Sequence, residues 1–263
     1  MINCALIGIG YWGSKLKRYI EENEGFNLKY ICDSKFDLNE VWNNKEITAV
    51  VIATRNDTHY SMTKSALLSG KNVLSEKPLA LKTEECEELK QIALDKNLLL
   101  MVEYTYTFSK ALEKAQRMVK EGETGNILGF EMAVRHLGRF KGGSVYWLLG
   151  SHMLSVLDMF LPIKDLSFQK TDGKETRVII YGEKGTIIYN PVSQPSLQVE
   201  SYKRVKWTVV SKLPREHKEF SIDEANNLRY AIEYFSQALQ GEAEGNVDRA
   251  IAITRILEAL EEK

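Results

Sequence analysis

The sequence predicts an α/β fold, with an N-terminal doubly wound parallel sheet followed by a second, smaller α+β domain containing a mixed or antiparallel sheet. First, short apolar β-rich runs alternate with helical patterns over roughly the first hundred residues. Second, those runs are apolar throughout, which is typical of parallel strands covered by helices on both faces. Third, the pattern changes near residue 105, where closely spaced strand signals replace the alternation.

The first domain is predicted to span residues 1–105. Its strands are expected at 2–7, 28–32, 48–53, 72–75 and 98–102, and its helices near 13–23, 58–69 and 83–96. The connection from Asp33 to Ile47 has room for only one or two helical turns. That is less than a complete strand–helix–strand unit normally needs.

The second domain is predicted to span residues 106–263. Helices are expected near 109–121 and 148–160, and strands at 127–135, 176–181 and 186–189, with a further pair within 197–211. Two helices near 223–240 and 247–262 close the chain, and we expect them to pack back against the first domain.

Composition excludes several classes of function. Lys and Arg total 35 against 36 for Asp and Glu, so no net charge attracts nucleic acid or an anionic membrane. No apolar run approaches the ~20 residues of a membrane span, and no signal-peptide pattern opens the sequence. The cysteines lack metal-ligand spacing, and Cys4 and Cys32 are predicted to be small buried hydrophobic residues. We expect a cytoplasmic protein without a metal.

Three glycines with the spacing Gly-x-Gly-x-x-Gly join the first strand to the first helix: Gly8, Gly10 and Gly13. This spacing permits a tight turn, a close approach of the backbone to a pyrophosphate, and close helix–strand packing. Asp33 closes the next strand, where a carboxylate accepts hydrogen bonds from ribose hydroxyls and repels a 2′-phosphate. The sequence therefore predicts a dinucleotide site that prefers NAD to NADP, a preference that nearby Lys35 moderates. The alternative is that the glycines are ordinary turn residues and Asp33 a capping residue.

The glycine segment, residues 51–59 and residues 70–80 together resemble the Gfo/Idh/MocA oxidoreductase family, whose members include glucose–fructose oxidoreductase and inositol dehydrogenase. The string Glu76-Lys77-Pro78 is the most specific element. The resemblance implies a Rossmann fold for the first domain. The stretch 135–139 is more similar to the sugar-nucleotide dehydrogenase branch than to the inositol branch.

The resemblance implies hydride transfer between nicotinamide and a carbinol or carbonyl of a small-molecule substrate: a sugar, a sugar nucleotide or a related polyol. Lys77 would contact the substrate hydroxyl and the nicotinamide ribose and transfer the proton, because partial desolvation beside the cationic ring lowers the pKa of an amine. Glu76 would orient Lys77 or bind the ribose. The alternative is that Lys77 and Pro78 form a solvated turn.

The resemblance also places other side chains near the cofactor or substrate. Further cofactor-binding candidates are Tyr11, Trp12, Thr54, Asn56 and His59, of which His59 is better explained as a packed or capping residue than as a catalyst. Tyr104, which follows the fifth strand, is a candidate substrate contact.

The segment 146–154 resembles the family's Asp-x-Gly-x-His segment, but Leu148 stands where the Asp usually is. On an α-helix, Leu148 and His152 would share one face. The substitution makes the pocket more apolar and removes a carboxylate partner of His152. His152 is therefore a candidate catalytic or substrate-binding group, or else a packed histidine. Arg135, with Arg139 and Lys141, would bind a substrate phosphate or carboxylate, or else form a solvated basic loop.

Only residues 161–175 separate the histidine helix from the later strands, so the second sheet is predicted to be small. This puts the family's usual sheet-to-sheet interface in doubt, and a homo-oligomer would more readily be a dimer than a tetramer. Two alternative functions follow: a catalytically impaired NAD-binding sensor or regulator, and a reductase of a less polar carbonyl or unsaturated substrate.

Overall fold

The computed structural model describes residues 1–135, 144–161, 175–204 and 212–261. The chain divides into two compact units, one formed by Met1–Thr105 with Leu228–Lys263 and the other by Tyr106–Asn227. Both ends of the chain therefore contribute to the first unit. Within the described ranges, no helix is both long and apolar enough to cross a membrane.

The first unit is built on a five-stranded parallel sheet. Its strands are β1 (Ile2–Ile7), β2 (Phe26–Cys32), β3 (Ala49–Ile52), β4 (Asn72–Glu76) and β5 (Leu100–Glu103), in the order β2-β1-β3-β4-β5. Cys4 and Cys32 are fully buried in this sheet, as predicted. Because β1 is flanked by β2 on one side and β3 on the other, the sheet has a topological switch point at β1. Ligands of doubly wound sheets bind at the carboxyl ends of the strands beside such a point.

Four helices connect these strands: α1 (Tyr11–Glu21), α2 (Asn39–Trp42), α3 (His59–Leu68) and α4 (Thr83–Asp95). The buried face of α1 is formed by residues three or four positions apart, among them Leu16 and Ile20, so this helix packs by ordinary amphipathic spacing. The segment between β2 and β3 forms only the single turn of α2. The short connection predicted from the sequence is confirmed.

The described part of the second unit contains two α-helices and an antiparallel sheet. The helices are α5 (Lys110–Lys120) and α6 (Ser151–Leu157), the latter preceded by a π-helical turn, Tyr146–Gly150. The strands are β6 (Ile127–Arg135), β7 (Glu175–Gly182), β8 (Gly185–Tyr189), β9 (Leu197–Arg204) and β10 (Lys212–Phe220), in the order β10-β9-β8-β7-β6. Each neighbouring pair is antiparallel. The core of the unit joins this sheet to α5 and α6.

A strand pair was predicted within 197–211, of which residues 205–211 lie outside the described residues. β9 lies in this range, and its partner β10 extends over Lys212–Phe220, beyond the predicted range. Six of the nine residues of β10 are Lys, Arg, Glu or His, and one is Pro214. Such a composition is tolerated because β10 is an edge strand, where proline and charged residues oppose pairing with another chain.

Two C-terminal helices, α7 (Asn227–Leu239) and α8 (Val247–Glu261), complete the first unit. Phe235 of α7 stacks on Phe26 of β2, with ring centroids 5.8 Å apart. Between the two helices, the side chain of Asn246 accepts a hydrogen bond from the Val102 N–H at 2.7 Å and donates one to the Val102 carbonyl at 2.8 Å. The free edge of β5 is thus capped by a side chain in place of a sixth strand.

Candidate active site

The glycine turn after β1 has a geometry that excludes other residues at two of its positions. Gly8 has φ +95°, and a Cβ there would lie 2.4 Å from the Ala53 carbonyl oxygen. A Cβ on Gly13 would lie 2.0 Å from the Gly8 carbonyl oxygen. A Cβ on Gly10 would meet no atom within 4 Å, so open space faces the turn there. This combination matches the roles that the motif predicts: a tight turn, close helix packing, and room for a ligand beside the backbone.

The start of α1 is suited to a phosphate group. Among the described residues, no side chain caps this helix and no acidic residue lies in its first turn. The amide groups and the positive end of the helix dipole therefore remain available for an anion. Tyr11 and Trp12 are partly exposed in the same turn, and the Lys15 ammonium lies 4.5 Å and 4.7 Å from their ring centroids. The chain thus fits a dinucleotide pyrophosphate.

Asp33 is placed beside this turn by the pairing of β1 with β2. Ile7 and Cys32 are register partners, and the Gly8 amide donates to the Cys32 carbonyl at 2.9 Å. The exposed Asp33 carboxylate accepts a hydrogen bond from the Lys35 amide at 2.9 Å through one oxygen. Asp33 therefore caps its own loop through the Lys35 amide and also lies next to the glycine turn.

The loops after β3 and β4 are tied together by His59. This imidazole is 1% exposed, with Nδ1 2.7 Å from the Pro78 carbonyl oxygen and Nε2 3.2 Å from the Thr54 carbonyl oxygen. Burial lowers the pKa of His59 despite these two acceptors. Its side chain thus holds Pro78, and with it Lys77, in place. A contact between His59 and the cofactor stays a prediction, as do the contacts of Thr54 and Asn56.

Three ionisable groups meet at the ends of β4 and β5. Glu76 and Glu103 are register partners on these parallel strands, and Lys77 follows Glu76 directly. The two glutamates are 7% and 1% exposed, whereas Lys77 is only partly buried. The Thr105 hydroxyl donates to Glu103 Oε2 at 2.8 Å. Within the described part of the chain, the buried Oε1 atoms of both glutamates have no hydrogen-bond partner.

The three groups shift each other's protonation. Burial raises the pKa of Glu76 to about 7, against the opposing effect of the Lys77 charge. Burial and the neighbouring Glu76 charge raise the pKa of Glu103 well above its usual range. Burial lowers the pKa of Lys77, although both carboxylates favour its charged form. A polar cluster with such shifts, at the ligand-binding edge of the sheet, is suited to proton transfer.

The sequence analysis named Tyr104 alone as a candidate at the end of β5 and gave no role to Glu103 before it. A carboxylate that closes an apolar strand at the same edge as Glu76 was the signal for Glu103. The predicted contact Tyr104 follows it and is fully buried. Its contact with a substrate stays a prediction.

The remaining candidates lie in the second unit. His152 is in the first turn of α6, where its ring meets the Tyr106 ring edge to face at 5.2 Å between centroids. Leu148 lies in the preceding π-helical turn, so the α-helical spacing expected for Leu148 and His152 does not hold there. Arg135 ends β6, whereas Arg139 and Lys141 lie outside the described residues.

Comparison with known proteins identifies the first unit. Residues 2–104 match the family described as an oxidoreductase family with an NAD-binding Rossmann fold, Gfo/Idh/MocA. The N-terminal region is therefore similar in sequence to the Gfo/Idh/MocA oxidoreductase family. The resemblance seen in the sequence, and with it the predicted Rossmann fold, is confirmed.

Proteins similar to this chain include two of named activity. A 2,7-anhydro-N-acetylneuraminate hydratase from Mediterraneibacter gnavus is 26% identical over 141 residues, covering 48% of this chain and 38% of the relative. A levoglucosan dehydrogenase from Pseudarthrobacter phenanthrenivorans is 34% identical over 98 residues, covering 37% of this chain and 25% of the relative. The chain therefore spans less than half the length of these curated relatives.

Solved structures share the fold along almost the whole chain. An NAD binding oxidoreductase from Klebsiella pneumoniae superposes with a TM-score of 0.80 at 18% identity, covering 99% of this chain and 96% of that one. A 3-ketoreductase mutant from Actinomadura kijaniata, in complex with TDP-benzene and NADP, superposes with a TM-score of 0.79 at 15% identity, covering 99% and 97%. At these identities the likeness concerns the fold alone.

Proposed function

We propose that this protein transfers a hydride between a bound nicotinamide cofactor and a carbinol or carbonyl carbon of a sugar, a sugar nucleotide or a related polyol. The observation that carries the proposal is the cluster of Glu76, Lys77 and Glu103. It lies at the same sheet edge as the glycine turn, with a lysine whose pKa burial lowers. An amine of lowered pKa is a better base near neutral pH than an ordinary lysine.

In this proposal, each element has a separate task. When bound, the nicotinamide ring supplies the hydride acceptor or donor. The amide groups at the start of α1 hold the pyrophosphate, and the Asp33 carboxylate accepts hydrogen bonds from the adenosine ribose, which favours NAD over NADP. Lys77 takes the hydroxyl proton as a carbinol is oxidised, or returns it as a carbonyl is reduced. His152 and Arg135 are proposed to bind substrate.

The substrate class rests on relatives whose names refer to sugar chemistry. These are the dehydrogenase named for levoglucosan and the hydratase named for an anhydro-neuraminate.

The test is the variant Lys77→Met, compared with Lys96→Met at an exposed position of the first unit. Oxidation of a panel of sugars and nucleotide sugars is followed by the absorbance of the reduced cofactor. We expect turnover to fall by the ~10²–10⁴-fold typical of a lost acid–base group, while NADH affinity stays within about threefold. The Lys96 variant should match the wild-type protein.

Two results would overturn this proposal. One is equal turnover in the wild-type and Lys77→Met proteins. The other is tight NADH binding by the wild-type protein without turnover of any panel member in either direction. That second outcome would instead support a cofactor-binding sensor.

A further inference from the structure

The carboxyl groups of Glu76 and Glu103 lie side by side in the sheet. They are register partners on adjacent parallel strands, so both side chains leave the same face, and strands pair at a spacing of about 4.8 Å. Both groups are nearly inaccessible to water. When two carboxyl groups lie this close together in a buried site, they cannot both be ionised near neutral pH, because each negative charge opposes the other.

The surroundings of the pair provide little to stabilise two negative charges. The Thr105 hydroxyl donates to one oxygen of Glu103 and the Lys77 backbone amide donates to Glu76, whereas Oε1 of each glutamate lacks a hydrogen-bond partner among the residues that the structure describes. A buried oxygen of this kind is satisfied by a proton or by a donor on a ligand. The adjacent cation is Lys77, whose charge interacts with both carboxyls.

We propose that Glu76 and Glu103 act as a proton store for Lys77: the pair retains one proton and accepts a second from the lysine before the substrate is oxidised. This inference rests on the proposed function of Lys77 and extends it to Glu103, which becomes a positioning residue. Glu103 holds the retained proton, and Glu76 exchanges the second one with Lys77.

Charge conservation shows why the exchange is feasible. With two protons on the three groups, the cluster is neutral in two arrangements. In one, Glu76 is ionised and Lys77 is an ammonium group; in the other, both carboxyls are protonated and Lys77 is a neutral amine. Isolated glutamate and lysine differ by about six pKa units, which disfavours the second arrangement. Burial narrows this gap because it raises the pKa of Glu76 and lowers that of Lys77.

The proposed step balances in atoms and charge. Lys77 Nζ passes a proton to a Glu76 carboxylate oxygen and becomes a neutral amine. As the carbinol carbon loses hydride to the bound nicotinamide, the substrate O–H bond breaks and a new N–H bond forms on Lys77. The cluster then holds three protons and releases one to solvent. Carbonyl reduction follows the same steps in reverse.

The first test needs neither cofactor nor substrate. Side-chain carboxyl signals of ¹³C-glutamate-labelled protein are followed by NMR from about pH 3 to about pH 12, a range that brackets ordinary glutamate and lysine titration. We expect one carboxyl to titrate near pH 7, a signal that Glu76→Gln removes. A second carboxyl, removed by Glu103→Gln, should stay protonated above that pH.

The two variants also test whether the charges of Glu76 and Glu103 influence each other's titration. In Glu76→Gln, the Glu103 signal should titrate at lower pH than in the wild-type protein, because the neighbouring negative charge is gone. The matched control Glu46→Gln, at an exposed loop position, should leave both signals unchanged. Titration of both carboxyls in the ordinary range, or no shift of Glu103 in Glu76→Gln, would overturn the proton store but leave hydride transfer untouched.

The second test uses turnover. In Glu76→Gln, kcat for oxidation should fall by about 10²-fold, the lower end of the range for a lost proton-transfer group. The limb of the kcat pH profile near pH 7 should disappear, while both KM values stay within about threefold. A uniform loss at every pH with a raised KM would show a merely structural role for Glu76 and overturn the inference. Failure of Lys77→Met to slow turnover would overturn the proposed function, whatever the NMR result.

Discussion

The substitution Asn246→Ala tests how the sheet of the first unit is closed at β5. The Asn246 side chain makes hydrogen bonds of 2.7 Å and 2.8 Å with the two backbone polar groups of Val102, a fully buried residue next to Glu103. Each orphaned buried group costs about 1–3 kcal/mol. Because Asn246 is itself only half-buried, water will reach part of the gap. We therefore expect the free energy of unfolding to fall by about 2–3 kcal/mol.

The assay is urea unfolding followed by circular dichroism. The midpoint should move to lower urea while the slope of free energy against urea stays constant, because the surface exposed on unfolding is unchanged. Asn43→Ala removes the same side chain at an exposed position and should change stability by no more than about 0.5 kcal/mol. If Asn246→Ala is as stable as Asn43→Ala, the side chain does not complete the sheet and the reasoning fails.

Two further predictions concern the cofactor site. Gly13→Ala places a Cβ 2.0 Å from the Gly8 carbonyl oxygen, so the turn must shift, and we expect NADH affinity, measured by fluorescence titration, to fall at least about tenfold. The control Gly129→Ala, whose Cβ would meet its nearest atom at 3.5 Å, should bind NADH normally. Equal losses of NADH affinity in the two variants would exclude a local effect of Gly13→Ala. Asp33→Ser should lower the affinity for NAD relative to NADP by about tenfold or more, whereas Asp37→Asn should not. An unchanged NAD/NADP ratio in Asp33→Ser would remove Asp33 from the ribose site.

Those parts of the fold that depend on local pattern could be predicted from the sequence. The parallel sheet follows from apolar runs such as 48–53, and the phosphate turn follows from three glycines within six positions. Asp33 was predictable because it closes a strand that must lie beside the turn. In each case the physical cause lies in a few neighbouring residues.

The features that escaped prediction depend on residues distant in sequence. Glu103 belongs to the polar cluster because the register of β4 and β5 brings it beside Glu76. No sequence feature near Glu103 predicts that register. The strand β10 over Lys212–Phe220 was not predicted, because the charged residues that protect an edge strand also obscure its alternating β pattern. The π-helical turn before His152 changes helical spacing by a rearrangement of backbone hydrogen bonds that side-chain periodicity does not show.

The cap that Asn246 places on β5 has a consequence for the order of events during synthesis. Some 140 residues separate Glu103 from Asn246 in the chain, so a ribosome adding about 5–20 residues per second completes β5 roughly 7–30 s before its cap exists. During that interval the nascent strand presents unpaired N–H and C=O groups that another chain could pair with. The first unit thus begins to emerge before the second unit and is completed after it, so the second unit has time to fold in between.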